Sequence, residues 1–389
     1  MNRFERHPRL VMLGVTGFCF LFGLIVLEVV LRFTPLGAEF HDPWLMQPTR
    51  HLALREYPPN ATFQFAAPEI RRSSGDPVAE RYILQTDQDG FIRPGRSHAK
   101  ADLTVVFLGG STTECLYVDP EGRFPVLVGR MLEERLGLKV NVINAARSGS
   151  NTQHMQLIMQ GKVLPLRPDI VVLMENVNDI GVLSRYGSYW PDDNSFGLVG
   201  GNAHGAAAGM RLIRDGVFGY SYRVIHGAVA RGIDLALALF GANAARAQGI
   251  AQDARVEDMA RQYRASLVQF VVTAQAWGIR PVLMTQVVQD GQSRERAARG
   301  DNYLADASLM RRGFTAQDFD TLHGYFNQIA RDVSARHGAG LIDLARFEGW
   351  TPQMLYDGLH FSGPGARRVA DLAAPALAAE AGRLRDAKN

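Results

Sequence analysis

Five short apolar runs, each four to six residues long and bounded by turn residues, constrain this 389-residue chain most. They are Leu103–Leu108, Val140–Asn144, Ile170–Met174, Pro281–Thr285 and Leu341–Leu344. A strand with one wet face alternates polar and apolar residues, whereas a near-continuous apolar strand is buried on both faces, as in a parallel sheet covered by helices. Helical patterns separate the runs. Phe124, Leu127, Val128, Met131, Leu132 and Leu136 share one helical face, and Gly137 is placed to stop that helix. Met259, Tyr263, Leu267, Phe270, Val271 and Ala274 form a second face, stopped at Gly278, and Ala366–Leu384 reads as an Ala-rich C-terminal helix. Alternating strand and helix predicts an α/β fold, a parallel sheet with helices on both faces.

The N-terminus is of another kind. Leu10–Leu31 is apolar apart from isolated small polar residues and Glu28, and as a helix it would be about 33 Å long, enough for a bilayer core. Arg3, Arg6 and Arg9 precede it and Arg32 alone directly follows, a bias that puts the N-terminus in the cytoplasm and the rest outside. A cleaved signal peptide is the competing reading; the apolar stretch is long for one, and no Ala-x-Ala site follows closely, so an anchor is expected. The expected organisation is a cytoplasmic tail (1–9), a transmembrane anchor (10–31), a juxtamembrane segment (32–100) and a catalytic domain (101–386). The segment 32–100 has turn signals at Pro58-Pro59, Ser73-Ser74-Gly75 and Asp87-Gln88-Asp89-Gly90. Two stretches, about 181–255 and 287–317, exceed a minimal strand–helix alternation and read as insertions. The first contains an apolar helix candidate, Ile233–Phe240, too short to span a membrane.

Composition narrows the function. Net charge is +3 with acids and bases dispersed, and no basic stripe interleaves with aromatics, which disfavours nucleic-acid binding. Two cysteines cannot build a Cys-rich zinc site, and His-Glu-x-x-His is absent, so no metal is expected. Neither a Walker A sequence nor Gly-x-Gly-x-x-Gly occurs, so no nucleotide cofactor is expected. No Gly-x-Ser-x-Gly elbow occurs either, which argues against the standard α/β-hydrolase arrangement.

Four polar motifs remain. Gly109-Gly110-Ser111-Thr112-Thr113 directly follows the first apolar run, at a strand end where parallel sheets bind ligands. A Ser there has backbone N–H groups beside it able to hold an oxyanion; a Gly-rich turn with a capping Ser reads equally well. Asp357-Gly358-Leu359-His360 places a carboxylate and an imidazole on one loop before the last helix, the base and orienter a serine nucleophile needs, or else a turn Asp and a surface His. Asn144–Asn151 and Asn176-Val177-Asn178-Asp179 each follow a strand; Gly149 allows close approach to a ligand and Asn178 offers an amide donor, although turn roles explain each in isolation.

Together, in this order, the motifs resemble the SGNH (GDSL-type) hydrolases, especially membrane-anchored bacterial members with a Gly-Gly-Ser-Thr-Thr nucleophile motif. The four letters match Ser111, Gly149, Asn178 and His360, and Asp357 with His360 matches the family's Asp-x-x-His. The resemblance covers about Ala101–Leu384, and Asp89-Gly90-Phe91 with the N-terminal span also looks like the anchored members. It implies a flavodoxin-like three-layer α/β/α sandwich. It also implies Ser111 as nucleophile, His360 as base, Asp357 as orienter, and an oxyanion hole from the Ser111 and Gly149 N–H groups and the Asn178 side chain. Asn176 stands where the family usually has Gly, and Ala146 where many members do. Glu114 and Cys115, just past the nucleophile, have no assigned role.

Three functions are consistent with the motifs. The first is an extracytoplasmic esterase removing acyl, especially acetyl, groups from a glycan or small ester. The second is an O-acyltransferase that uses the same triad on an exported polysaccharide. The third is a non-catalytic membrane-tethered binding module, against which retention of all five residues argues. Tyr186, Tyr189 and Trp190, at the start of the first insertion, are of the type that stacks on sugars, with ordinary packing as the alternative.

Overall fold

The computed structural model describes residues 8–33, 51–52, 54–67, 79–190, 199–200, 249–288, 316–351 and 353–388. The chain divides into two compact units, one of Met1–His51 with Gly201–Val217, the other of Leu52–Gly200 with Phe218–Asn389.

In the first unit, Pro8–Phe33 forms helix α1. Many of its described large apolar side chains, among them Met12, Leu13, Phe18, Phe20, Phe22 and Ile25, are exposed. Among the described residues no helix is long and apolar enough to cross a membrane. The span expected over Leu10–Leu31 is therefore not found among them.

The second unit begins with a hairpin, β1 (Thr62–Ala66) antiparallel to β2 (Arg81–Gln85). The sheet proper comprises β3 (Leu103–Gly109), β4 (Val140–Asn144), β5 (Ile170–Met174), β6 (Arg280–Met284) and β7 (Gly340–Ile342). Their spatial order is β4-β3-β5-β6-β7 and all neighbours are parallel. Register is set by pairs such as Phe107 with Asn144 and Gly109 with Met174. All five expected strands are present, shifted by at most two residues at their ends.

Period-2 geometry sends alternate strand residues to opposite faces. Val106, Leu108, Ile143, Val171, Leu173 and Leu283 face one core with α3 (Thr152–Ile158), α5 (Gly249–Ala276) and α6 (Ala316–His337). Val105, Phe107, Val142, Val172, Val282 and Met284 face the other with α2 (Phe124–Leu136) and α7 (Gly363–Lys388). Helix α4 (Val177–Tyr186) follows β5. The two expected glycine stops hold: Gly137 and Gly278 both take the left-handed conformation, at φ +65° and +71°.

Residues 54–67 and 79–100 belong to this same unit, beyond the boundary drawn at residue 101. Ile92 bridges Asn144 at the end of β4, and Gly95 C=O accepts from Val142 N–H at 3.4 Å. The Ile233–Phe240 helix candidate, Ser73–Gly75 and most of both insertions lie outside the described residues.

Candidate active site

Strands in chain order β3, β4, β5 take sheet positions two, one and three, so the direction of winding reverses between β3 and β5. In such sheets the crevice at the strands' carboxyl ends opens at that switch point. Ser111 follows β3, and Asn178 lies at the start of the helix after β5.

Ser111 opens a single helical turn, Ser111–Glu114, in which the N–H groups of Thr113 and Glu114 return to Gly110 C=O. The first N–H groups of such a turn have no partner inside it and point outward, the disposition an oxyanion needs. The two glycines before Ser111 are required by space. A Cβ on Gly109 would lie 2.2 Å from Thr113 Oγ1 and 2.8 Å from Met174 O. A Cβ on Gly110 would lie 2.4 Å from Asn178 Nδ2, 2.8 Å from Glu175 Oε1 and 3.3 Å from Ser150 O. The loops after β4 and β5 thus both converge on the residue before Ser111.

His360 and Asp357 reach the same point from the loop before α7. His360 Nε2 lies 2.7 Å from Ser111 Oγ, and His360 Nδ1 lies 2.6 Å from Asp357 Oδ2. The other oxygen, Asp357 Oδ1, accepts the backbone N–H groups of Leu359 at 3.0 Å and His360 at 2.7 Å. Gly358, at φ +85°, supplies the left-handed turn that folds this loop back on its own aspartate. Burial alone would raise the Asp357 carboxyl; the adjacent His360 charge, its hydrogen bond and the two backbone donors outweigh that and hold the pKa below the ordinary value. Burial likewise disfavours imidazolium, but the Asp357 charge and hydrogen bond, with a contribution from Glu114, raise the His360 pKa above its ordinary value. Tyr356 stacks on the imidazole, ring centroids 5.7 Å apart.

Gly149 is left-handed at φ +74°, the conformation that favours glycine, and the Arg55 guanidinium lies against it, Nη2 2.7 Å from where a Cβ would stand. Asn178 Nδ2 lies 3.4 Å from Glu175 Oε2. Glu175 is fully buried; burial, then the neighbouring Asp179 charge, push its pKa well above the ordinary carboxylate value. Asp179 is likewise buried, its pKa raised to about 6 although Tyr189 O–H, Thr152 N–H and Thr152 O–H all donate to it.

The departures from the family pattern have local explanations. Asn176 does not enter the site: its Nδ2 donates to Asn327 Oδ1 and His323 C=O, both at 3.0 Å, tying the β5 loop to α6. Its φ of −167° is extended backbone that needs no glycine. The same network runs from Asn327 to Gln286, whose Nε2 donates to Thr112 Oγ1 at 2.9 Å, bracing the nucleophile turn. Ala146 is buried, its N–H donating to Asn144 Oδ1.

Cys115 is buried, its thiol pushed up to about 12 by burial, which leaves no thiolate for nucleophilic attack. Glu114, unassigned in the sequence, is fully buried; it accepts Tyr57 O–H, Ser148 O–H and, at 3.1 Å, Ser148 N–H. Burial raises its pKa against those donors and the Arg123 charge. Of the three aromatics considered for sugar stacking, Tyr189 is fully buried with its hydroxyl on Asp179, a packing role, whereas Trp190 is 57% exposed. Among the described residues no group of His, Cys, Asp and Glu is gathered as a metal ion would require.

Residues 107–222, which include Ser111, Gly149 and Asn178, match the family model described as GDSL-like lipase/acylhydrolase. Over that segment the chain is similar to the GDSL-like lipases/acylhydrolases. The match supports an ester-bond hydrolase, and Asp357 and His360, beyond the matched segment, complete a serine–histidine–aspartate chain with Ser111 by distance. Among solved structures, the lipase/acylhydrolase from Enterococcus faecalis is 18% identical, with a TM-score of 0.40, 71% of this chain and 96% of that one being covered. The acetylxylan esterase Axe2 from Geobacillus stearothermophilus is 15% identical, with a TM-score of 0.39 and coverages of 72% and 94%. LAE5, an alpha/beta hydrolase from the metagenome of Lake Arreo, Spain, is 16% identical, with a TM-score of 0.39 and coverages of 73% and 97%. No curated protein matches the sequence.

Proposed function

We propose that the protein is a membrane-tethered, extracytoplasmic serine esterase that removes acyl groups, acetyl foremost, from a glycan or small ester through an acyl-enzyme on Ser111. One observation carries the reading: the unbroken chain from Ser111 Oγ to His360 Nε2 at 2.7 Å and from His360 Nδ1 to Asp357 at 2.6 Å. His360 takes the hydroxyl proton as Ser111 Oγ attacks the carbonyl carbon, and Asp357 keeps the remaining imidazole proton on Nδ1. The developing oxyanion is held by the N–H groups of Ser111 and Gly149 and by the Asn178 amide. Collapse of the tetrahedral species expels the alcohol, protonated by His360; water then attacks the acyl-enzyme, again with His360 as base. No cofactor takes part in these steps.

Acyl transfer to a sugar hydroxyl shares every step up to the acyl-enzyme. Trp190, exposed beside α4, is the observation that favours a carbohydrate acceptor or leaving group. Turnover of p-nitrophenyl acetate by the wild type and by Ser111→Ala, with and without oligosaccharide acceptors, tests both readings. Turnover lost in Ser111→Ala supports the esterase. A rate that depends on acceptor and yields acylated sugar replaces hydrolysis by transfer, and equal turnover by the two proteins refutes both.

Tethering rests on the apolar Leu10–Leu31 stretch, the arginines before it, and the exposure of most described apolar side chains of α1. Alkaline phosphatase fused after residue 386 is expected to be active only outside the cytoplasm and to stay with the membrane after carbonate extraction. A soluble, cytoplasmic fusion would contradict the tether.

A further inference from the structure

The sequence around Gly149 forms a tight turn: Ser150 N–H donates to Arg147 C=O at 3.0 Å, and Gly149 occupies the third position at φ +74°. A positive φ at that position marks the turn type whose central peptide is flipped relative to the commonest type, so one peptide rotation interconverts the two. Here the central peptide is Ser148–Gly149, which is trans. In a trans peptide C=O and N–H point in opposite directions, so whatever fixes the Ser148 oxygen also aims the Gly149 N–H.

That oxygen is held from far away in sequence. Arg55 donates to Ser148 C=O through Nε at 3.3 Å and Nη2 at 3.1 Å, and its guanidinium fills the space a Gly149 side chain would need. The same short segment grips Ser148 from its other side. Tyr57 O–H donates to Glu114, and Glu114 accepts both the N–H and the hydroxyl of Ser148. Arg147, the first residue of the turn, lies over the Tyr57 ring, 4.8 Å from its centroid. Residues 55–57 precede the first strand of the sheet by more than forty positions and lie outside the matched family segment.

We propose that Arg55 is a positioning residue for catalysis: by clamping the Ser148 carbonyl it fixes the flip of the Ser148–Gly149 peptide and aims the Gly149 N–H at the oxyanion. This rests on the esterase reading. A cationic donor on the carbonyl also polarises the shared peptide and strengthens its N–H as a donor. Arg55 and Tyr57 thus make their stretch of chain a working part of the active site rather than a spacer.

The full-length chain bearing Arg55→Ala and Arg55→Lys tests this with p-nitrophenyl acetate. Loss of aim should lower kcat about ten- to a hundredfold in Arg55→Ala with KM within about twofold, since a donor made effective only in the transition state leaves ground-state binding alone. Arg55→Lys, which keeps the charge but offers one nitrogen, should fall between the two. Guanidinium at low millimolar concentration should restore part of the kcat of Arg55→Ala and leave wild type unchanged. An unchanged kcat in Arg55→Ala overturns the proposal, as does a loss that neither Lys nor guanidinium relieves. If wild type turns over no ester, the esterase reading fails by itself. The clamp is then read from the amide NMR signal of Gly149, which should shift in Arg55→Ala and return with guanidinium; a signal identical to wild type overturns the clamp.

Discussion

Asp357→Asn isolates one part of the chemistry from the fold. Asp357 Oδ1 accepts two backbone N–H groups, at 3.0 and 2.7 Å, while Oδ2 faces His360 Nδ1 at 2.6 Å. Asparagine keeps an oxygen for the two backbone donors, so the loop retains its shape. Its amide nitrogen then faces His360 Nδ1, where two donors cannot meet. The imidazole must shift its proton to Nε2, which points it at Ser111 Oγ, 2.7 Å away, and removes the base. The same exchange in a serine protease triad costs about 10⁴ in kcat, or about 5.5 kcal/mol. A fall of about 10³–10⁴ in kcat for p-nitrophenyl acetate at pH 7 is expected here, with KM and melting temperature close to wild type. The sign of the pH effect follows from the base. His360 must be neutral to act, and Asp357 raises its pKa, so wild-type kcat/KM should rise with pH through a midpoint above the ordinary histidine value. In Asp357→Asn the residual activity should lose that elevated midpoint. A variant within tenfold of wild type, or a midpoint that does not move, would refute the reasoning.

Asn178→Ala removes the amide proposed as an oxyanion donor and should lower kcat about 10²–10³-fold with little change in KM, measured by steady-state ester turnover. Glu175→Gln should keep most of the activity, because burial and the Asp179 charge favour the uncharged form of the carboxyl beside Asn178. Its raised folded pKa means the native state keeps a proton that the unfolded chain has released. Wild-type stability should therefore decline relative to Glu175→Gln as pH rises above about 4.5, read as diverging melting temperatures between pH 5 and pH 8; parallel melts would contradict this. Cys115→Ala should leave kcat within about threefold, as expected of a buried thiol without thiolate character.

The sheet was legible because a strand buried on both faces must be apolar throughout: Val105 and Val106 face opposite cores and both are fully covered. The helix Ala316–His337 was not legible, since its start falls in the stretch that reads as insertion up to residue 317. Ser111, Asp357 and His360 stood out because the motifs, taken together and in order, resemble the SGNH hydrolases; each motif alone read equally well as a turn. Their bracing was not. Gln286 and Asn327 carry ordinary polar side chains whose roles depend on a meeting between β6, α6 and the nucleophile turn. Arg55 and Tyr57 were hidden in a stretch read as juxtamembrane, since contacts across more than ninety residues, such as Arg55 with Ser148, leave no local periodicity. Glu114 and Glu175 lay beside the motifs. A carboxylate adjoining a strand end that the pattern buries was the available signal for both.

The most direct test of Ser111 as nucleophile is to map the adduct of a fluorophosphonate probe on the folded protein by fragmenting the labelled peptide Ala101–Arg123, which contains both Ser111 and Cys115. The adduct should sit on Ser111 alone, vanish in Ser111→Ala and His360→Ala, and persist in Cys115→Ala. Labelling that survives Ser111→Ala, or a folded wild-type protein that takes no label, would contradict the assignment.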